Sequence, residues 1–149
     1  MYPITLALHN LVRWIALILG ILAAARAFSG WFGNRAWSER DRKVGSFFSI
    51  AMDVQLLLGL LLYFVFSPLT RTALSNLGAA MGSADLRFFA LEHALYMFLA
   101  VIFAHLGSIL ARRATDAKAK HQRAAIFFGL ALLLILLGMP WMRPLLPSL

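Results

Sequence analysis

The chain reads as an all-α membrane protein: one four-helix transmembrane bundle with both termini on the outer side. Three observations predict this. It is 62% hydrophobic and only 13% charged, far from the balance of a soluble domain. Its apolar residues gather in four stretches, each long enough to cross roughly 30 Å of hydrocarbon as a helix. Its basic residues gather in the two connections that such helices place on one side. The 149 residues suit a single domain, with helices at about 3–28, 44–66, 86–111 and 119–139.

The first span, about Pro3–Phe28, is rich in Leu, Ala and Ile and shows none of the alternation a barrel strand requires. Ala23-Ala24-Ala25 resembles a signal-cleavage region. However, Met1–Leu8 lacks a basic residue and Arg13 interrupts the apolar run, so a retained helix is expected. The connection Ser29–Lys43 carries Gly30, Gly33, Asn34, Trp31 and Trp37, a composition suited to the membrane–water boundary. Ser38-Glu39-Arg40-Asp41 looks like an N-cap with acid in the first turn, so the second helix is expected to start before its apolar span, Val44–Phe66. Ser67-Pro68 ends that helix. The loop Leu69–Asp85 mixes Gly, Ser, Asn and Ala and has room for a short surface helix. The third span, Leu86–Ala111, runs into Arg112-Arg113. Thr115-Asp116 can cap a fourth helix, Ala119–Met139, which Pro140-Trp141 closes ahead of a proline-rich tail.

The net charge of +8 is unevenly placed. Arg26, Arg35, Arg40, Arg42 and Lys43 flank the first connection, and Arg112, Arg113, Lys118, Lys120 and Arg123 flank the third. The opposite side holds Arg71, Arg87 and Arg143. The positive-inside bias puts both basic loops in the cytoplasm, where they meet anionic head groups; the charge sets topology and argues against nucleic acid as a partner. The absence of cysteine excludes disulfides, thiolate metal sites and covalent haem attachment.

All four histidines lie in or beside these spans, where an imidazole must be satisfied by protein. At about 1.5 Å of rise per residue, His9 lies roughly 9 Å below the outer end of the first helix and His93 roughly 10 Å below that of the third. Two imidazoles at one depth on two helices are what a b-type haem takes as axial ligands, with His9 and His93 on the iron. The alternative, that each ring hydrogen-bonds a neighbouring helix independently, stays open. His105 lies about 18 Å further along the third helix, in the inner half. Its candidate partner, His121, sits shallower among Lys118, Lys120 and Arg123, so a second haem on His105 and His121 is the weaker expectation.

Other polar residues fall within the spans. Arg13, one turn beyond His9, and Asp53 both lie near the midplane, where an Arg13–Asp53 ion pair would neutralise two costly charges. Asp53 can instead serve His105, or carry a proton beside a quinone. Gln55 is suited to bonding a quinone carbonyl or a neighbouring helix. Glu92 points away from its neighbour His93, towards proton transfer on the outer side or towards Arg87, which argues against a metal site of His9, His93 and Glu92. Gly20, Gly59, Gly107 and Gly129 suit close helix contact. Phe88, Phe89, Phe98, Phe103, Phe127 and Phe128 suit lipid, a neighbouring helix or a porphyrin.

Leu8-His9-Asn10-Leu11-Val12-Arg13-Trp14, Gln55-Leu56 with Gly59 and Leu62-Tyr63, Arg87-Phe88-Phe89 with Glu92-His93, and His121 through Pro140-Trp141 carry a resemblance over most of the chain. The sequence resembles a family of small bacterial four-helix membrane proteins described as cytochrome b, and more loosely the cytochrome b561-like group. The resemblance implies haem b binding and electron transfer in a bacterial cytoplasmic membrane, with the ligand role on His9 and His93. The twelve-residue step from His93 to His105 departs from the b561-like pattern of paired ligands on one helix face. The leading expectation is thus a multi-pass b-type cytochrome working with a quinol, a redox protein or a second copy of itself. The alternative is a cofactor-free transporter or accessory subunit that uses Arg13, Asp53 and the histidines as a polar network.

The topology is open to a direct check. In this cysteine-free chain, Asn34→Cys should react with a membrane-impermeant maleimide only after cells are opened, and Ser75→Cys on intact cells. The opposite pattern would invert the orientation.

Overall fold

The computed structural model describes residues 1–141 and 143, and the rest of the expected proline-rich tail lies outside the described residues. Among the described residues there is no strand. Helix α1 (Tyr2–Phe32) is followed by α2 (Glu39–Leu61), which runs on through a π-helical turn, Leu62–Phe66. Three short helices follow: α3 (Pro68–Ser75), α4 (Leu77–Met81) and α5 (Ala84–Arg87). A second π-helical turn, Phe88–Glu92, leads into α6 (His93–Arg113), and α7 (Ala117–Gly138) completes the bundle. Four segments are long and apolar enough to cross a membrane: Tyr2–Phe32, Glu39–Phe66, Ala84–Arg113 and Ala117–Gly138.

The helix boundaries follow local chemistry. Ser38 and Asp41 form a reciprocal capping box at the start of α2. Ser67 caps α3 ahead of Pro68, Asn76 caps α4, and the Asp116 carboxylate accepts the Ala119 N–H at 2.9 Å to start α7. The main departure from expectation is the length of α1, which continues past Phe28 to Phe32 and shrinks the first loop. Phe28, Trp31 and Phe32 stack on one another in that last turn, with Trp31 and Phe32 ring centroids 4.9 Å apart. A turn with Asn34 in the left-handed region (φ 48°) then reverses the chain.

Packing is inverted relative to a water-soluble bundle. The interior is mostly small, with Ala16, Ala24, Ala100, Ala104, Ala124 and Ala131 all buried, while large aliphatic residues such as Ile4 and Leu57 are more than half exposed. In hydrocarbon a leucine gains little by turning inward, so close backbone approach and dispersion decide the interface. Helix α1 packs on α2 and α7, and α6 packs on the same two, so α1 and α6 lie diagonally across the bundle. On the other diagonal, Phe48 and Phe128 meet edge to face at 5.7 Å and fill the core. Gly20 makes room for Phe48, and Gly45 and Gly107 make room for Phe128. Of the other glycines expected to allow close contact, Gly129 faces Phe28 and Gly59 faces His9 at ordinary distances.

Polar clasps fasten the same bundle. Ser49 and Ser108 bond each other at 2.9 Å, and their hydroxyls reach the Ala104 and Gly45 carbonyls, joining α2 to α6. At the end carrying the basic loops, the buried Asp41 carboxylate accepts from Arg26 and Arg35, which ties the loop and α2 back to α1. Arg35 also donates to the Arg26 carbonyl at 3.0 Å.

A Cβ at Gly107 would lie 2.6 Å from the Phe128 ring, which is itself fixed against Phe48. Gly107→Ala should therefore lower stability by about 1–3 kcal/mol, read by thermal unfolding in detergent. Gly129→Ala, whose new methyl would lie 3.5 Å from Phe28, should change it little.

Candidate functional site

At the end of the bundle where α1 begins and α7 ends, the core does not close, and a cavity of about 390 Å³ opens between α1, α2, α6 and α7. Most of its wall is apolar, but His9, Arg13, Gln55, Tyr63, His93 and Arg143 all line it. The His9 and His93 rings, on the diagonal pair α1 and α6, stand 6.3 Å apart between centroids with planes inclined at 68°. The equal depths expected from sequence thus become a direct juxtaposition.

Each imidazole is held by a group on a third helix. His93 Nδ1 lies 2.7 Å from the Gly138 carbonyl at the end of α7. That carbonyl has no partner within its own helix, so an N–H of His93 satisfies it and leaves Nε2 as the lone-pair nitrogen. Gly138 is small because α7 approaches α6 closely here: a Cβ would fall 2.9 Å from Tyr96 Cβ. On the other side, His9 Nε2 lies 3.2 Å from the Gln55 amide of α2. His9 Nδ1 and Gln55 Oε1 are buried in the cavity wall without a hydrogen-bond partner.

The two π-helical turns frame this site. A π turn shifts the carbonyls out of their i→i+4 pattern and leaves some in need of a donor. Here Tyr63 of the first turn donates its hydroxyl to the Ala90 carbonyl of the second at 2.6 Å. Thr70 of α3 donates to the Tyr63 carbonyl at 2.8 Å. The second turn ends immediately before His93, so the phase at which that ring enters the bundle depends on it. Phe88 and Phe89 from the same turn each lie with ring centroids 6.0 Å from His93, and Phe89 lines the cavity beneath the Arg143 guanidinium at 4.5 Å.

The remaining sequence-marked residues are placed elsewhere. Arg13 is buried in the cavity wall, with its guanidinium 5.8 Å from the Trp14 ring. Asp53 does not line the cavity; its carboxylate takes His105 Nε2 at 2.7 Å, the second of the two partners expected for it. Glu92 accepts from Arg87 at 2.8 Å on the exposed side. His121 is fully buried against Trp37, with ring centroids 4.8 Å apart, and occupies the space Gly30 leaves open. It lies 3.5 Å from the Ala36 carbonyl. His105 and His121 therefore have separate surroundings, and the structure does not join them as it joins His9 and His93. Phe98 faces outward, while Phe103 and Phe127 pack on each other. Among the described residues, no three His, Cys, Asp or Glu side chains converge on one point.

Sequence reading assigned no separate role to Tyr63 and missed Thr70, Gly138 and Arg143. A lone tyrosine in a run of leucines is a signal of polar demand in a span, but its target, a carbonyl freed by a π turn, is invisible in sequence. Compared with protein-family models, curated proteins and solved structures, the chain matches none of them.

Tyr63→Phe should leave the buried end of the Ala90 carbonyl without its donor. The expected cost is about 1–2 kcal/mol, together with faster amide hydrogen exchange across residues 88–92, measured by mass spectrometry.

Proposed function

We propose that this protein is an integral-membrane b-type cytochrome in which His9 of α1 and His93 of α6 would hold one haem b. The observation that carries this reading is the His9–His93 pair across a cavity. Their ring centroids lie 6.3 Å apart on facing helices, so both imidazoles would be within reach of one iron held between them. The cavity is within the size range of cofactor sites and has an apolar wall.

The donor chemistry fits as well. The Gly138 carbonyl holds the His93 tautomer and its ring orientation, the usual arrangement behind a metal-bound histidine. Gln55 can do the same for His9. With its oxygen turned to the ring, it accepts the Nε2 proton and leaves Nδ1, a buried atom without a hydrogen-bond partner, as the lone-pair nitrogen. When bound, haem b supplies a one-electron couple whose potential reflects its two neutral imidazole ligands. The chain's contribution is to fix those two rings, exclude water with the apolar wall and set positive charge nearby through Arg13 and Arg143.

The charge asymmetry supports a bacterial cytoplasmic membrane location with both termini outside. On that orientation, electrons are exchanged in the outer half of the bilayer, with a quinol or a redox protein as partner. A second haem on His105 and His121 has no comparable support, since Asp53 takes His105 and Trp37 covers His121.

The test is spectroscopic. Protein purified in mild detergent from haem-replete cells should show a Soret band, with about one haem per chain and a low-spin reduced spectrum. His9→Ala and His93→Ala should each lose most of it at unchanged helical content, and Gln55→Leu should weaken haem retention roughly 10- to 100-fold. A wild-type protein without a Soret band, or full haem content in either histidine variant, overturns the reading.

A further inference from the structure

Away from the cavity, one feature of the bundle surface does not suit hydrocarbon. Between their ends, the exposed stripe of α1 is apolar, running Ile4, Leu8, Leu11, Ile15, and so is that of α7 beyond Arg123, running Ile126, Leu130, Leu133, Leu137. The surface shared by α2 and α6 differs. Along α6, exposed Leu95, Phe98 and Ile102 are followed at the same three-and-four spacing by His105. Across from it on α2, among exposed Ile50, Val54 and Leu57, stands Asp53. The His105 and Asp53 side chains are 41% and 46% exposed. Asp53 falls near the middle of the Glu39–Phe66 segment.

An ionisable pair at mid-depth on a lipid-facing surface is expensive, and such residues normally face protein or a water-filled cavity. The 2.7 Å bond uses one carboxylate oxygen and one ring nitrogen, so each group keeps a further polar atom that lipid cannot satisfy. The pair also supplies a donor and an acceptor side by side. A twofold rotation about an axis through this surface would bring the Asp53 of one copy to the His105 of the other and the reverse. That self-complementarity is what an isologous interface requires.

We propose that the α2–α6 surface is a self-association interface on which a second copy of this chain packs, the two Asp53–His105 pairs joining into one buried four-membered network. Ile50, Leu57, Phe98 and Ile102 supply the apolar contacts around it. Interhelical polar contacts in lipid are individually modest, so the network gives register and orientation more than raw strength. The proposal does not depend on the cavity holding haem.

The test uses the full chain in native-like membranes. Leu57→Cys, one turn from Asp53, is the sole cysteine and should oxidise to an adduct of twice the chain mass. Ile18→Cys, on the exposed stripe of α1, should not. Adding Asp53→Asn with His105→Gln should weaken the dimer about tenfold in a detergent-dilution series, because two symmetric contacts are lost. The exchange Asp53→His with His105→Asp, which preserves the complementarity, should keep the dimer and guards against misfolding in the first pair. A Leu57→Cys adduct no stronger than that of Ile18→Cys overturns the proposal. So does an adduct whose mass shows a different protein, or a lipid-soluble small molecule, on this surface. A dimer that survives Asp53→Asn with His105→Gln undiminished, or one lost in the exchange variant at intact helical content, overturns it too.

Discussion

Four helices here are long and apolar enough to cross a membrane; in such a setting apolar side chains would be nearly indifferent to facing in or out, and the hydrogen bond between helices becomes the contact that organises the structure. Nearly every specific feature of this protein is a polar group finding a partner. Ser49 and Ser108 clasp α2 to α6, Asp41 gathers Arg26 and Arg35, and Tyr63 closes one π turn on the other. The His93 bond to the last carbonyl of α7 belongs to the same class, and it places an imidazole and a helix end against each other. Small residues permit the helices to come close; polar contacts decide which faces meet.

That division explains why the bundle is tight at one end and open at the other. Around Phe48 and Phe128, glycine and alanine let two aromatic rings fill the centre. Beyond them, towards the start of α1 and the end of α7, histidine, arginine and glutamine interrupt a mostly apolar interior, and the side chains stand apart around a cavity. The two π turns lie at this open end, which fits their common association with sites that need a side chain re-aimed. The two π turns and the buried polar atoms of His9 and Gln55 that lack a hydrogen-bond partner coincide at this end of the bundle.

Depth was legible in the chain because helical rise is nearly constant. Counting from the helix starts puts His9 and His93 at one level, and the structure sets their rings 6.3 Å apart. Direction around the helix was much less legible. Asp53 was credible as a partner for either Arg13 or His105; the packing of α2 against α6 gave it to His105, on the outside of the bundle. His121 looked like an interfacial residue beside lysines, yet it is wholly buried because the lengthened α1 brings Gly30 against it. In each case the deciding fact was a neighbouring helix rather than a neighbouring residue.

By itself the sequence determined the all-helical class, the four long apolar helices, the gathering of basic residues in two connections, the caps that start α2 and α7, and the position of each histidine along its helix. These follow from composition, period and rise, which act along one helix at a time. Only the tertiary structure decided which helices lie on the diagonal, that His9 and His93 meet in the wall of one cavity, and that Gly138 and Gln55 hold their rings. It also decided that Asp53 and His105 pair at the lipid boundary. Those outcomes depend on the rotation of each helix about its axis, and that rotation is set by small residues and polar contacts between helices distant in the chain.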